Sequence, residues 1–170
     1  ICNDEIDNDG DGWKDCEDVD CAMDPHCLED YPCEDAIPIQ CGDTITGKTD
    51  DPASKDMIGQ YGCKGLLPYP DSEMAYQLKM GGIPMTATVT MAEATGNTEF
   101  FVLKQLGLGC DTSTCEAFGN SSGQFFAKAN YTYFIVFDVP YGGTGTYTLQ
   151  LDCEYPETEV FCGNFLDEDQ

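Results

Sequence analysis

The residues with the clearest chemistry stand close to the start of the chain: Asp7-Asn8-Asp9-Gly10-Asp11-Gly12-Trp13-Lys14-Asp15-Cys16-Glu17-Asp18. Carboxylates at the first, third, fifth, ninth and twelfth positions, with glycine at the sixth, have the spacing of a loop that wraps one hard cation. Calcium takes about six to eight oxygen ligands at roughly 2.3–2.6 Å, and alternate side chains of a tightly turning segment supply them. Asp7, Asp9 and Asp11 would ligate directly, Gly12 would permit the sharp turn, and the carbonyl of Trp13 would add a backbone oxygen. Asp15 would reach the ion through water, and Asp18 would close the shell where glutamate is usual. Ca2+ is the one cofactor this pattern predicts, and Asp20 and Asp24 are further candidates for a second ion.

The loop sits in a segment that needs such an ion. Residues 1–35 hold 14 acids against one base, Lys14, in a chain of net charge −25. A charge run of this kind is ordinarily a solvated, disordered tail. Here Cys2, Cys16, Cys21, Cys27 and Cys33 fall in the same stretch, and tails rarely carry cross-links. Pro25 and Pro32 follow soon after, and no amphipathic helix flanks the loop, so a disulfide-stapled calcium segment is expected instead of a helix–loop–helix sensor. On these residues the segment resembles the Asp-rich calcium repeats of bacterial secreted and surface proteins. It is similar also to thrombospondin type 3 repeats, in which the ion is structural.

With 11 cysteines, no Cys-x-x-Cys pair and His26 as the single histidine, the chain reads as disulfide-bonded and not zinc-binding. That places it in an oxidising, extracellular or cell-surface setting. It begins at Ile1, as a processed piece would. No apolar run approaches the ~20 residues of a membrane span, so no membrane insertion is expected. The strong negative charge repels phosphate, which excludes nucleic acid as a partner. One histidine offers no Ser–His–Asp or Cys–His relay, so no catalytic residues are expected.

After Cys33 the pattern changes. Met85-Thr86-Ala87-Thr88-Val89-Thr90-Met91 alternates strictly, and residues 75–80, 100–106, 131–138 and 146–152 are rich in Thr, Tyr, Phe and Val. Gly81-Gly82, Gly96-Asn97, Asn120-Ser121-Ser122-Gly123 and Gly142-Gly143 punctuate them as turns. These features predict an all-β fold, an antiparallel β-sandwich of about seven to nine strands. Cys110 and Cys115 are five apart and are expected to pair locally; the pairing of Cys33, Cys41, Cys63 and Cys153 stays open.

Several stretches of this body carry a resemblance. They are Cys33-Glu34-Asp35-Ala36, Cys41-Gly42-Asp43-Thr44-Ile45-Thr46-Gly47-Lys48-Thr49, Asp71-Ser72-Glu73-Met74-Ala75-Tyr76-Gln77-Leu78, Tyr131-Thr132-Tyr133-Phe134-Ile135-Val136-Phe137-Asp138 and Gly145-Thr146-Tyr147-Thr148-Leu149. On them residues 33–153 resemble the bacterial pre-peptidase C-terminal domain family. That resemblance implies a jelly-roll-like, non-catalytic sandwich attached to a secreted enzyme or surface protein. The extra cysteines depart from the family, and no motif supports carbohydrate as a partner.

The chain's last residues echo its first. Cys162-Gly163-Asn164-Phe165-Leu166-Asp167-Glu168-Asp169 repeats the Cys2…Ile6-Asp7-Asn8-Asp9 spacing 160 residues later. Asp167 and Asp169 would open a second calcium loop, unless the echo is coincidence in an acidic, cysteine-rich chain. The expected organisation is therefore a calcium segment at 1–32, a sandwich at 33–155, and the start of a following calcium repeat at 156–170. Two functions follow. One is a structural repeat or subunit of an extracellular filament or cell-surface array, neighbouring copies joined head to tail and in line through calcium-stiffened junctions. The alternative is a non-catalytic accessory domain of a larger secreted protein such as a protease. Asn120-Ser121-Ser122 and Asn130-Tyr131-Thr132 are glycosylation sequons.

Overall fold

The computed structural model describes residues 31–155. They form ten strands: β1 (Ile37–Ile39), β2 (Thr44–Lys48), β3 (Met74–Lys79), β4 (Met85–Ala92), β5 (Glu99–Leu106), β6 (Gly109–Cys110), β7 (Ala117–Gly119), β8 (Ser122–Ala127), β9 (Thr132–Asp138) and β10 (Thr146–Glu154). Two sheets result. One has the order β1-β3-β9-β5-β6 with β7 also on β5, and the other the order β2-β10-β4-β8. The five segments predicted from alternation are all strands. The total is ten among the described residues, above the seven to nine expected, because β1, β6 and β7 are only two or three residues long. Nor is the sandwich wholly antiparallel, since β1 pairs β3 in parallel.

Alternation explains the main core. Phe100 and Val102 of β5 and Tyr133, Ile135 and Phe137 of β9 face Val89 of β4 and Tyr147, Leu149 and Leu151 of β10 between the sheets. Tyr147 stacks on Phe137 with ring centroids 3.8 Å apart. The alternate residues of the same strands are buried too. Phe101, Leu103, Phe134 and Val136 belong to a second core with Ile58, Tyr61, Tyr69, Cys33 and Cys110. The larger sheet is therefore covered on its outer face as well, and β9 reads as an apolar run because both its faces are buried.

That outer cover has no strands or helices long enough to order it, apart from a 3-10 turn at Gly62–Lys64. It consists of residues 31–36, a flap at residues 49–72 between β2 and β3, and residues 111–116 after β6. Disulfides Cys33–Cys110 and Cys63–Cys115 hold it, and Cys41–Cys153 ties the start of β2 to β10. The expected local pair Cys110–Cys115 is thus corrected. Strand β6 turns Cys110 onto the outer face, where Cys33 crosses it. Asp111 accepts from Ser113 N, Ser113 Oγ and Thr114 Oγ1, bending the chain away, and Gly62 N donates to Thr112 O at 2.8 Å. Cys115 is thereby delivered to Cys63. A side chain at Gly62 would collide with the Ser113 backbone, so glycine is required there.

The strand directions gather the connections at two poles. β9 runs against both β3 and β5, and β4 against both β8 and β10. The β3–β4, β5–β6 and β8–β9 turns lie at one end, here the turn pole; the connections at 93–98 and 139–145 lie at the other. Glu154, the last residue of β10, pairs Thr86 near the start of β4, so the chain leaves the sandwich at the turn pole. It also arrives there: Pro32 O accepts from Cys110 N at 2.9 Å, beside the β5–β6 turn. Gly109 permits this approach, since a Cβ would strike Pro32 O and Tyr31.

Candidate functional site

At the pole opposite the turns, three acids form a row across the outer face of the larger sheet. Glu99 of β5 and Asp138 of β9 are cross-strand partners, and Met74 pairs Phe137, which puts Glu73 beside Asp138 on the next strand. Period-two alternation sets all three on the face of Ala75, Phe101, Leu103, Phe134 and Val136, under the flap. Three carboxylates on adjacent strands repel one another and lose hydration, so the arrangement needs donors.

The flap supplies them. Glu73 accepts from Met57 N at 3.1 Å and Ile58 N at 3.5 Å. Asp138 accepts from Tyr61 Oη at 2.8 Å and from the adjoining Val139 N at 2.7 Å. Glu99 accepts from Tyr69 Oη and from Lys64 Nζ, the latter at 2.9 Å. The donors of residues 57–69 are thus distributed over the row. Aromatic packing completes the contact: Tyr61 stacks on Phe101 with centroids 3.7 Å apart, and Tyr69 meets both rings edge-on. Among the described residues every buried side-chain nitrogen and oxygen has a hydrogen-bond partner.

Burial governs the protonation of Glu73 and Asp138. Desolvation pushes Glu73 up to about 7, against the opposing pull of its backbone N–H donors. Asp138 is likewise pushed up to about 7, mainly by burial, with Tyr61 and Val139 pulling the other way and Glu73 and Asp56 adding repulsion. Burial and the neighbouring Asp138 raise the Tyr61 hydroxyl well above its ordinary value, so it stays a donor. Glu73 and Asp138 therefore exchange protons near neutrality without facing open solvent. A cavity of about 30 Å3, room for roughly one water, adjoins Glu73, with Tyr31, Cys33 and Lys55 in its wall.

None of the sequence-predicted ligands falls here. Asp7, Asp9, Asp11, Trp13, Asp15, Asp18, Asp167 and Asp169 lie outside the described residues. What is described is the place where the acidic segment joins the sandwich: Tyr31 and Pro32 against Gly109, and Cys33 bonded to Cys110 across 77 residues of sequence. Among the described residues no three His, Cys, Asp or Glu side chains are grouped to hold a metal. The acid row is no exception, its carboxylates being turned onto flap donors. The six described cysteines are all in disulfides, which fits an exported protein. No helix among the described residues is long and apolar enough to cross a membrane. The sequons stand on exposed turns, Asn120 between β7 and β8 and Asn130 between β8 and β9.

Sequence reasoning missed the acid row. Its signal was present in Phe137-Asp138-Val139, an acid set within an apolar run, where a strand buried on both faces must partner any charge it carries.

No protein-family model and no curated protein matches the chain. Two solved structures are similar to it. One is a periplasmic inhibitor of g-type lysozyme from Aeromonas hydrophila, 15% identical with a TM-score of 0.46, covering 70% of this chain and 96% of that one. The other is the pre-peptidase C-terminal domain of a collagenase from Bacillus anthracis, 18% identical with a TM-score of 0.43, covering 69% and 94%. The second belongs to the family that the body of the sequence resembles, and the likeness is one of fold alone.

Proposed function

We propose that this chain is a non-catalytic structural module of an exported protein, in which a calcium-clamped segment forms the connector and the β-sandwich is the body it carries. The observation that carries this reading is the anchoring at Pro32 and Cys33. A backbone hydrogen bond and a disulfide fix the end of the acidic segment to Cys110, so stiffness gained by the Asp7–Asp18 loop is passed to the sandwich. The finer reading is a repeat or subunit of a filament or cell-surface array, built on the 160-residue echo between Cys2 and Cys162. Because the chain joins and leaves the sandwich at one pole, such repeats would not be strung in line. The calcium segments would form the line, and the sandwiches would project from it.

The test is a calcium titration of the full chain, with Asp7→Asn/Asp9→Asn as control, followed by limited proteolysis in calcium and in chelator. Binding in the range of about 10⁻⁴–10⁻³ M is expected for an extracellular module. Cleavage within residues 1–30 should appear on chelation while residues 33–153 stay intact. A chain that takes up no calcium, or whose sandwich is digested together with the segment, would remove this reading.

A further inference from the structure

The turn pole gathers several exposed apolar side chains and two lysines. The chain has only seven lysines and arginines, yet exposed Lys79 and Lys128 both stand at this end, on the last residue of β3 and in the β8–β9 turn. The turn tips around them are apolar. Ile83, Leu106, Leu108 and Tyr131 are 53%, 63%, 55% and 48% exposed. They come from three adjacent turns, because β3, β9 and β5 are neighbours in the sheet, and Asn130 N donates to Gly81 O at 2.8 Å between two of them. An open groove of about 350 Å3 runs beside Ile83, floored by Leu78 and Met80. Exposed turns ordinarily carry Gly, Asn, Asp and Ser, and apolar tips collected at one pole mark a contact surface.

We infer that the turn pole is the seat of the chain's own acidic segment, residues 1–30, whose apolar side chains pack on these tips while Lys79 and Lys128 face its carboxylates. Continuity argues for this occupant: residues 31–33 are fixed beside the Leu106–Leu108 turn, so the segment emerges at this surface and is tethered to it at high effective concentration. Charge argues for it locally: residues 1–30 hold 12 acids against Lys14, and Lys79 and Lys128 stand among the tips, with Asp152 and Glu154 on the β10 side of the pole. The segment also has apolar groups to bury, Trp13, Val19, Met23 and Leu28 among them. The inference rests on the proposed connector role only in that calcium is what compacts the segment enough to dock as a unit.

Hydrogen exchange of the full chain, in calcium and in chelator, tests it alongside an independent calcium titration. Amides of residues 81–83 and 106–109 should exchange about tenfold more slowly in calcium. The double substitution Leu106→Asp/Leu108→Asp should abolish that difference and weaken calcium binding by roughly three- to tenfold, about 1 kcal/mol. Calcium binding with equal exchange in both conditions would overturn the docking and leave the connector reading standing. Protection without calcium binding, lost in the double variant, would support the docking and overturn the connector reading instead. Protection that grows with protein concentration would assign the pole to a second copy and overturn the inference.

Discussion

The two poles of the sandwich handle their polar and apolar groups in opposite ways. At one, Glu73, Asp138 and Glu99 are carried on strands into a buried layer, and donors from residues 57–69 meet all of them. At the other, Ile83, Leu106, Leu108 and Tyr131 are held out into solvent on turns. The first pole spends its polar groups inside the fold, so its residues govern whether the flap stays closed. The second leaves apolar groups outside the fold, so its residues can be changed with little consequence for the sandwich. Buried polar anchoring is thus concentrated at one end and a cluster of apolar turn tips at the other, with Leu66 of the flap and Tyr141 exposed as single side chains, and single substitutions can probe that difference.

The largest effect should come from Tyr61, which is fully buried, stacked on Phe101 and bonded to Asp138. Tyr61→Ala removes a packed ring and strands a carboxylate, which should cost about 3–5 kcal/mol. Tyr61→Phe keeps the stack and leaves Asp138 with Val139 N, for a loss of about 1–2 kcal/mol. Denaturant unfolding in chelator measures both. Equal losses would mean that the ring contributes little and the hydrogen bond most of the anchoring.

A smaller effect separates the poles by pH. Glu73 and Asp138 have folded-state values of about 7, above their ordinary values of 4.5 and 3.8. The folded chain therefore binds protons more tightly than the unfolded chain does. The associated stability is fully present below about 4 and is lost as pH rises through about 7. Thermal unfolding in chelator should thus give a higher midpoint at pH 5.5 than at pH 8. Reduced self-repulsion in so acidic a chain acts in the same direction. The contribution of Glu73 is isolated by Glu73→Gln, which keeps an acceptor for Met57 N and should flatten the slope between pH 5.5 and 8. An unchanged slope would remove Glu73 as a source of the pH dependence and leave it to Asp138 and the surface charge.

What the sequence made legible follows the same division. Strands β3, β4, β5, β9 and β10 were readable because alternation and Thr, Val and aromatic content mark a half-buried strand over six or more residues. Strand β8 was partly masked: Ser122 and Gly123 look like turn residues, yet they pair Thr90 and Val89 within the smaller sheet. The two residues of β6 carry no period at all. The flap was unreadable for a deeper reason. Residues 49–72 contain Pro52, Gly59, Pro68 and Pro70 and have no apolar rhythm. Their order comes from carboxylates as distant as Asp138, 77 residues from Tyr61. Local pattern cannot report a partner that only the sheet register brings near, and the same limit defeated the disulfides: Cys110 had a neighbour five residues away and bonded one 77 away. The proposed calcium loop is the reverse case: its candidate ligands are all local in sequence, and they lie outside the described residues.

The smallest effect is the one that most directly tests the difference between the poles. Leu106→Ser and Leu108→Ser replace side chains that project from the β5–β6 turn and belong to neither core. In chelator each should change unfolding free energy by no more than about 0.5 kcal/mol, the usual range for surface positions. The adjoining Gly107 supplies the positive φ of 58° that the turn needs, and both substitutions leave it in place. Leu103, three residues earlier on the same strand, is fully buried, and Leu103→Ser should cost several kcal/mol, about 2–5 by the scale of buried leucine truncations. If Leu106→Ser or Leu108→Ser destabilised the chain nearly as much as Leu103→Ser, the turn pole would be part of the folding core. The exposed tips would then owe their apolar character to folding instead of contact.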